Sequence, residues 1–141
     1  MQNRVESTRV DLALAVLRVL VGVIFLAHGG QKLFVYGFDG VAGAFGQMGV
    51  PMAGITGPLT ALVEFFGGLA LVTGLLTRLA GVGLAVTMLG AILFVHLAAG
   101  FFGPQGIEFP LALLAATVAF AIAGAGRFSL DHVIAARRAA R

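Results

Sequence analysis

Few residues in the apolar stretches of this chain can do chemistry, and those few are spaced to meet. His28 and Lys32 stand one helical turn apart, Glu64 and Glu108 are acids set among apolar residues, and His96 closes the string Gly90-Ala-Ile-Leu-Phe-Val-His96. A charge near the middle of a spanning helix costs about 2.5–3.5 kcal/mol even on a lenient insertion scale, so such a group needs a partner, a proton or a task. An imidazole and an ammonium on one helix face can form an ion pair or a hydrogen-bonded cluster with a carboxylate. The alternative is that the cluster satisfies itself and only fixes helix register, or that Lys32 and Glu108 belong to the wet interface reached by snorkelling. Two other chemistries are not expected. Paired histidines at helix ends are commonplace, which weighs against a haem between His28 and His96. The Glu-x-x-His spacing of carboxylate-bridged helical bundles is missing, so no metal is expected. Cysteine is absent, which excludes disulfides, thiolate zinc sites and iron–sulfur clusters, so a redox role must borrow its carrier.

Helices in lipid are what must position these residues. Of 141 residues, 60% are hydrophobic and 11% charged, against about 25% charged in soluble domains. A mean hydropathy of +1.05 makes the bilayer the solvent for most of this surface. The expected fold is all-α: an integral membrane four-helix bundle forming a single transmembrane domain over residues 1–141, with spans at about 12–33, 58–76, 79–99 and 108–125. The polar start MQNRVESTRVD has no small-residue cleavage site behind it and is expected to stay attached. Arg78 alone interrupts the second and third spans, predicting a hairpin, and Gly103-Pro104 breaks the third from the fourth. Residues 36–57 carry seven glycines, yet Phe38, Val41, Phe45 and Met48 recur at helical spacing after Asp39, a cap one residue late. They predict a short amphipathic segment in the first outer loop, lying at the surface or capping the bundle.

Arg4, Arg9, Arg78, Arg127, Arg137, Arg138 and Arg141 fall on one side of this scheme and Lys32 on the other, which places both termini in the cytoplasm of a multi-pass cell-membrane protein. The formal charge of +3 comes from such span-end residues, with no basic stripe interleaved with aromatics, so no nucleic-acid partner is expected. Leu130, Val133 and Ile134 followed by three arginines make residues 126–141 a cytoplasmic interfacial tail on anionic lipid. With this orientation His28, Lys32, Glu64, His96 and Glu108 converge on one outer level. Glu64 lies about six residues inside its span, about 9 Å from the start. Gly22-Val-Ile-Phe-Leu-Ala-His28 is echoed by Gly90 to His96, and Glu64-Phe65 by Glu108-Phe109, as two repeated hairpins would require.

Arg18 is deep in the first span, where its long stem can snorkel. Together with Gly22, Phe25, Gly29 and Lys32 it forms one stripe that should face protein; Glu64, Gly68, Leu71, Leu75 and Arg78 form another, with Gly67 and Gly74 beside them. Arg18 and Arg78 are read as structural charges, and the glycines as packing surfaces that also permit a homo-oligomer.

Arg18-x3-Gly22-x2-Phe25-x2-His28-Gly29-x2-Lys32-Leu33, Glu64-x2-Gly67-Gly68-x5-Gly74-x2-Thr77-Arg78 and Gly126-Arg127-x-Ser129-Leu130-Asp131 carry a resemblance. On them the chain resembles the DoxX family of small four-helix membrane proteins, although Ala125 stands where that family's final turn often has proline. Members of the family serve as small subunits of quinone-reactive respiratory enzymes, as partners of redox-stress proteins, or beside quinone-detoxification enzymes. The resemblance therefore implies a membrane subunit that binds a quinone or similar lipophilic redox molecule, has no covalently attached cofactor, and works with a partner oxidoreductase rather than turning over alone. His28, Lys32 and Glu64 are the first candidates for its pocket, His96 and Glu108 the second. The other readings are a structural or assembly subunit of a larger membrane complex and a small-solute transporter.

Overall fold

The computed structural model describes residues 2–141, with side chains from Val5 onward; the side chain of Arg4, one of the basic residues counted above, lies outside the described set. Helix α1 (Gln2–Gly30) runs without a break into a π-helical segment, Gln31–Tyr36. It overshoots the expected span at both ends because hydropathy marks the edge of the lipid, whereas a helical ladder continues through any residues of adequate propensity. Gly37, at φ 68°, then redirects the chain into α2 (Gly37–Gln47), a turn that a residue with a Cβ makes only at a cost. The expected amphipathic segment is thus a helix, and it caps the bundle. Val41 is buried, and a Cβ on Gly57 would lie 3.1 Å from the Ala42 nitrogen. Asp39 sits in the first turn of α2 rather than capping it; Tyr36 holds the cap position and makes no side-chain bond there.

Helix α3 (Ala53–Thr73) begins five residues before Pro58 and so takes that proline inside. In the first two turns the missing N–H removes a single ladder bond. The helix stops at Gly74 (φ 71°), whose N–H reaches Ala70 O at 2.8 Å, and Leu76 (φ 51°) completes a tight hairpin into α4 (Thr77–Ala91). Helix α4 continues as a π-helical segment, Ile92–His96, and a 3₁₀ turn, Leu97–Ala99; α5 (Glu108–Ala123) and α6 (Leu130–Ala139) follow. Residues 5–47, 53–73 and 77–99 form helices long and apolar enough to cross a membrane, and α5 is a shorter apolar helix of 16 residues. At 1.5 Å per residue α5 spans about 24 Å, short of a 30 Å hydrocarbon core. The fold is an all-helical membrane bundle of α1, α3, α4 and α5, with no strand among the described residues.

The helices pair as α1 with α3 and α4 with α5, and α3 against α4 joins the pairs. Glycine sets the spacing. A Cβ on Gly29 would stand 2.3 Å from Phe65 N, and one on Gly68 2.4 Å from Leu26 N, so α1 and α3 touch backbone to backbone. Gly81 likewise brings α4 against α5, where a Cβ would stand 2.7 Å from Ala121 N. Phe25, Leu71, Leu84 and Phe120 fill the centre. The stripe from Arg18 to Lys32 faces α3 as expected. The second stripe ends at Leu71: α3 stops at Thr73, leaving Leu75 and Arg78 exposed. The echoed strings occupy different surroundings, since Gly22 packs on α3 whereas Gly90 has no neighbour within 4 Å of its Cβ position.

The first half of α1 meets the α5–α6 connection at one end of the bundle, where Arg18 does not snorkel. It is 2% exposed, and its guanidinium donates to the carbonyls of Leu71, Val72 and Phe128, satisfying the C-terminal end of α3. Asp131 does the converse for α4: its carboxylate accepts from Leu76 N at 2.8 Å and Thr77 N at 3.0 Å, while its own N–H donates to Gly74 O at 2.9 Å. Ser129 caps α6 by accepting from His132 N, and Asp11 accepts from Arg127 N. Arg78 lies against Gly124 at the same end. Replacing a capping carboxylate costs about 1–2 kcal/mol. Asp131→Ala is therefore expected to lower the melting temperature measured in mild detergent, with Asp131→Asn falling between the two.

Candidate ligand-binding site

At the other end, Lys32 reaches from the π-helical segment of α1 to Glu64 on α3, with Nζ 2.5 Å from Oε2. The close approach at Gly29, one turn earlier, brings the lysine stem over α3. The side chains are 21% and 6% exposed, so the carboxylate is the buried member. Because α3 starts at Ala53, Glu64 is the twelfth of its 21 residues, at mid-helix and about 16 Å from the helix start. A carboxylate so buried needs the lysine.

His28 does not join that pair. Its Nδ1 lies 2.9 Å from Ile24 O of its own helix. His96, on the π-helical segment of α4, has Nδ1 2.8 Å from Gln105 O and so ties α4 to the loop before α5. Glu108 is the one candidate that stands apart: it is exposed, and its Oε1 accepts from Gly103 N at 3.1 Å. As the first residue of α5 it satisfies the turn that delivers the chain to that helix, a local task that a reading by depth alone does not detect.

His28, Lys32, Glu64 and His96 line one cavity of about 710 Å³ between α1, α3 and α4. Phe45 of α2, Met48 just beyond it, Pro104 in the loop before α5, and Phe109, Pro110 and Leu113 of α5 also contribute to its wall. The size falls within the roughly 300–1,000 Å³ of small-molecule sites, and the mix of apolar wall and few polar groups is typical of them. Among the described residues no three His, Asp or Glu side chains gather as a metal site would need. Sequence reading missed Thr56, Thr60 and Thr87, which also line the cavity. Thr60 stands one turn before Glu64 on the same face, a spacing that could have revealed it.

A multi-pass helical bundle with a buried carboxylate paired to a lysine in a cavity wall defines a small membrane protein of the cell membrane, and comparison gives its kin. The chain belongs to the DoxX family, whose model matches residues 13–97; a second model, described as the TQO small subunit DoxD, matches residues 56–140. It is 36% identical to "Putative oxidoreductase CatD" of Bacillus subtilis (strain 168), with 88% of each chain covered. It is also 36% identical to the uncharacterized membrane protein Rv3486 of Mycobacterium tuberculosis, over 88% of this chain and 82% of that one. To the inner membrane protein YqjF of Escherichia coli (strain K12) it is 34% identical, with 88% and 93% covered. No solved structure matches the chain.

Proposed function

We propose that this protein is a membrane subunit that binds a quinone or similar lipophilic redox molecule between α1, α3 and α4 and works with a partner oxidoreductase. The observation that carries this reading is the Lys32–Glu64 pair set in the wall of a mostly apolar cavity large enough for a ring headgroup. Lys32 has two further N–H donors for a ligand oxygen, and Glu64 is placed to take or return a proton beside it. A bound quinone would supply two-electron, two-proton chemistry; the chain itself supplies orientation, a dry wall and the proton-bearing side chain. The oxidoreductase partner is suggested by the names of CatD and of the DoxD small subunit.

Protein purified in mild detergent and extracted with organic solvent is expected to yield near-stoichiometric quinone by mass spectrometry. Glu64→Gln is expected to lose at least about tenfold of it, the scale of one charge-assisted hydrogen bond. Clean extracts from both proteins would overturn the proposal and leave the structural-subunit reading.

In this proposal the termini are cytoplasmic, on the count of basic residues at their end of the bundle. The chain has no native cysteine, so single introduced cysteines report sidedness without background. Gly103→Cys in intact cells is expected to react with an impermeant maleimide, and Ala140→Cys only after lysis. The reverse pattern would invert the topology.

A further inference from the structure

The hydrogen bonds already made around the cavity decide which groups remain for a ligand, and most of those are acceptors. A carbonyl oxygen can only accept, so the Nδ1 atoms of His28 and His96, at 2.9 Å from Ile24 O and 2.8 Å from Gln105 O, must carry their ring protons. In the neutral imidazole that fixes Nε2 as a bare lone pair. No protein donor reaches either Nε2 among the described residues, and both rings line the cavity. Two of the wall threonines are committed the same way. The Thr56 hydroxyl donates to Pro51 O and Met52 O, and the Thr87 hydroxyl to Gly83 O, leaving only lone pairs. Glu64 accepts from Lys32 and has oxygen lone pairs to spare. Against these stand donors on two residues only, the two remaining N–H groups of Lys32 and the hydroxyl of Thr60.

An oxidised quinone offers only acceptors to this wall, and its carbonyls would face lone pairs at both imidazoles. Its reduced form presents two hydroxyl donors on the same ring. We infer that the cavity is built for the reduced, dihydroxy-aromatic form of its ligand, held by hydroxyl donation to Nε2 of His28 and Nε2 of His96. This rests on the quinone reading above and adds to it the redox state that the site selects. Through linkage, tighter binding of the reduced form raises the potential of the bound couple by about 30 mV for each tenfold difference in affinity.

The test uses the full-length protein in detergent and three probes of one shape: decylbenzoquinone, its hydroquinone kept under argon, and the dimethyl ether of that hydroquinone, which has no donors. Calorimetric titration is expected to give the hydroquinone at least about tenfold tighter than either of the others, as two hydrogen bonds would supply. His28→Leu and His96→Leu are each expected to narrow that ratio, and His28→Gln, which keeps an acceptor, to restore much of it. The ether comparison needs no variant and stands even where one fails to fold. Quinone binding as tight as hydroquinone, or ether as tight as hydroquinone, would overturn the inference while leaving the quinone site intact. Failure of all three probes to bind would overturn the site itself.

Discussion

Lys32→Met is expected to destabilise the folded protein by about 3–5 kcal/mol, and adding Glu64→Leu to recover most of that loss. Removing one partner of a buried ion pair leaves the other charge without compensation, whereas removing both replaces it with apolar surface. The asymmetry of burial sharpens the expectation. Glu64 is 6% exposed and its partner 21%, so the stranded carboxylate of Lys32→Met stays largely buried on its short stem, while the stranded lysine of Glu64→Leu has a longer stem with which to reach water. Lys32→Met should therefore be the worse single variant. Unfolding in mild detergent, followed by circular dichroism, gives the three stabilities; additive effects would mean that the two side chains do not depend on each other. All three variants are expected to lose the extracted quinone, which separates the binding role of the pair from its cost to the fold.

Gly29→Ala is expected to cost about 3 kcal/mol, at the upper end of the penalty for overpacking, and Gly68→Ala a similar amount. The reason is the identity of the atoms in the way. The added methyl meets Phe65 N at 2.3 Å in the first case and Leu26 N at 2.4 Å in the second, and backbone atoms cannot step aside as a side chain can. Relief requires α1 and α3 to separate, which would also pull Lys32 from Glu64. Gly90→Ala is the matched control: its Cβ position has no neighbour within 4 Å, and helix propensity favours alanine by about 1 kcal/mol. Equal melting temperatures for Gly29→Ala and Gly90→Ala would refute the close-contact account.

The bundle itself was legible from hydropathy, and so were the hairpin at Arg78 and the inward stripe Arg18–Gly22–Phe25–Gly29–Lys32, because apolar length and a 100° repeat are properties of the sequence alone. The partner of Glu64 was legible only as a choice. His28 and Lys32 share a face, and only the π-helical widening at Gln31–Tyr36, which leaves no mark in composition, accompanies the placement of lysine rather than histidine against α3. The start of α3 was not legible, because hydropathy and helix disagree there. Residues 53–57 are glycine-rich and weakly apolar, yet they are helical because α2 packs on them, and that tertiary contact moves Glu64 to mid-helix. That Arg18 faces protein was legible, but its partners were not, because the carbonyls that hold it in place of snorkelling come from residues more than fifty positions away.

The clasp at Gly126–Asp131 has a consequence for biogenesis. These residues are synthesised after all four apolar segments, yet they cap α4 through Asp131 and supply the Phe128 carbonyl to Arg18. During insertion the translocon therefore handles an α3–α4 turn whose N–H groups lack their final acceptor and an arginine whose third partner has yet to be made. Both hairpins can enter the bilayer, but the end that carries the termini locks only when the chain behind α5 emerges, so a nascent chain arrested at Gly124 would be inserted and still unlatched.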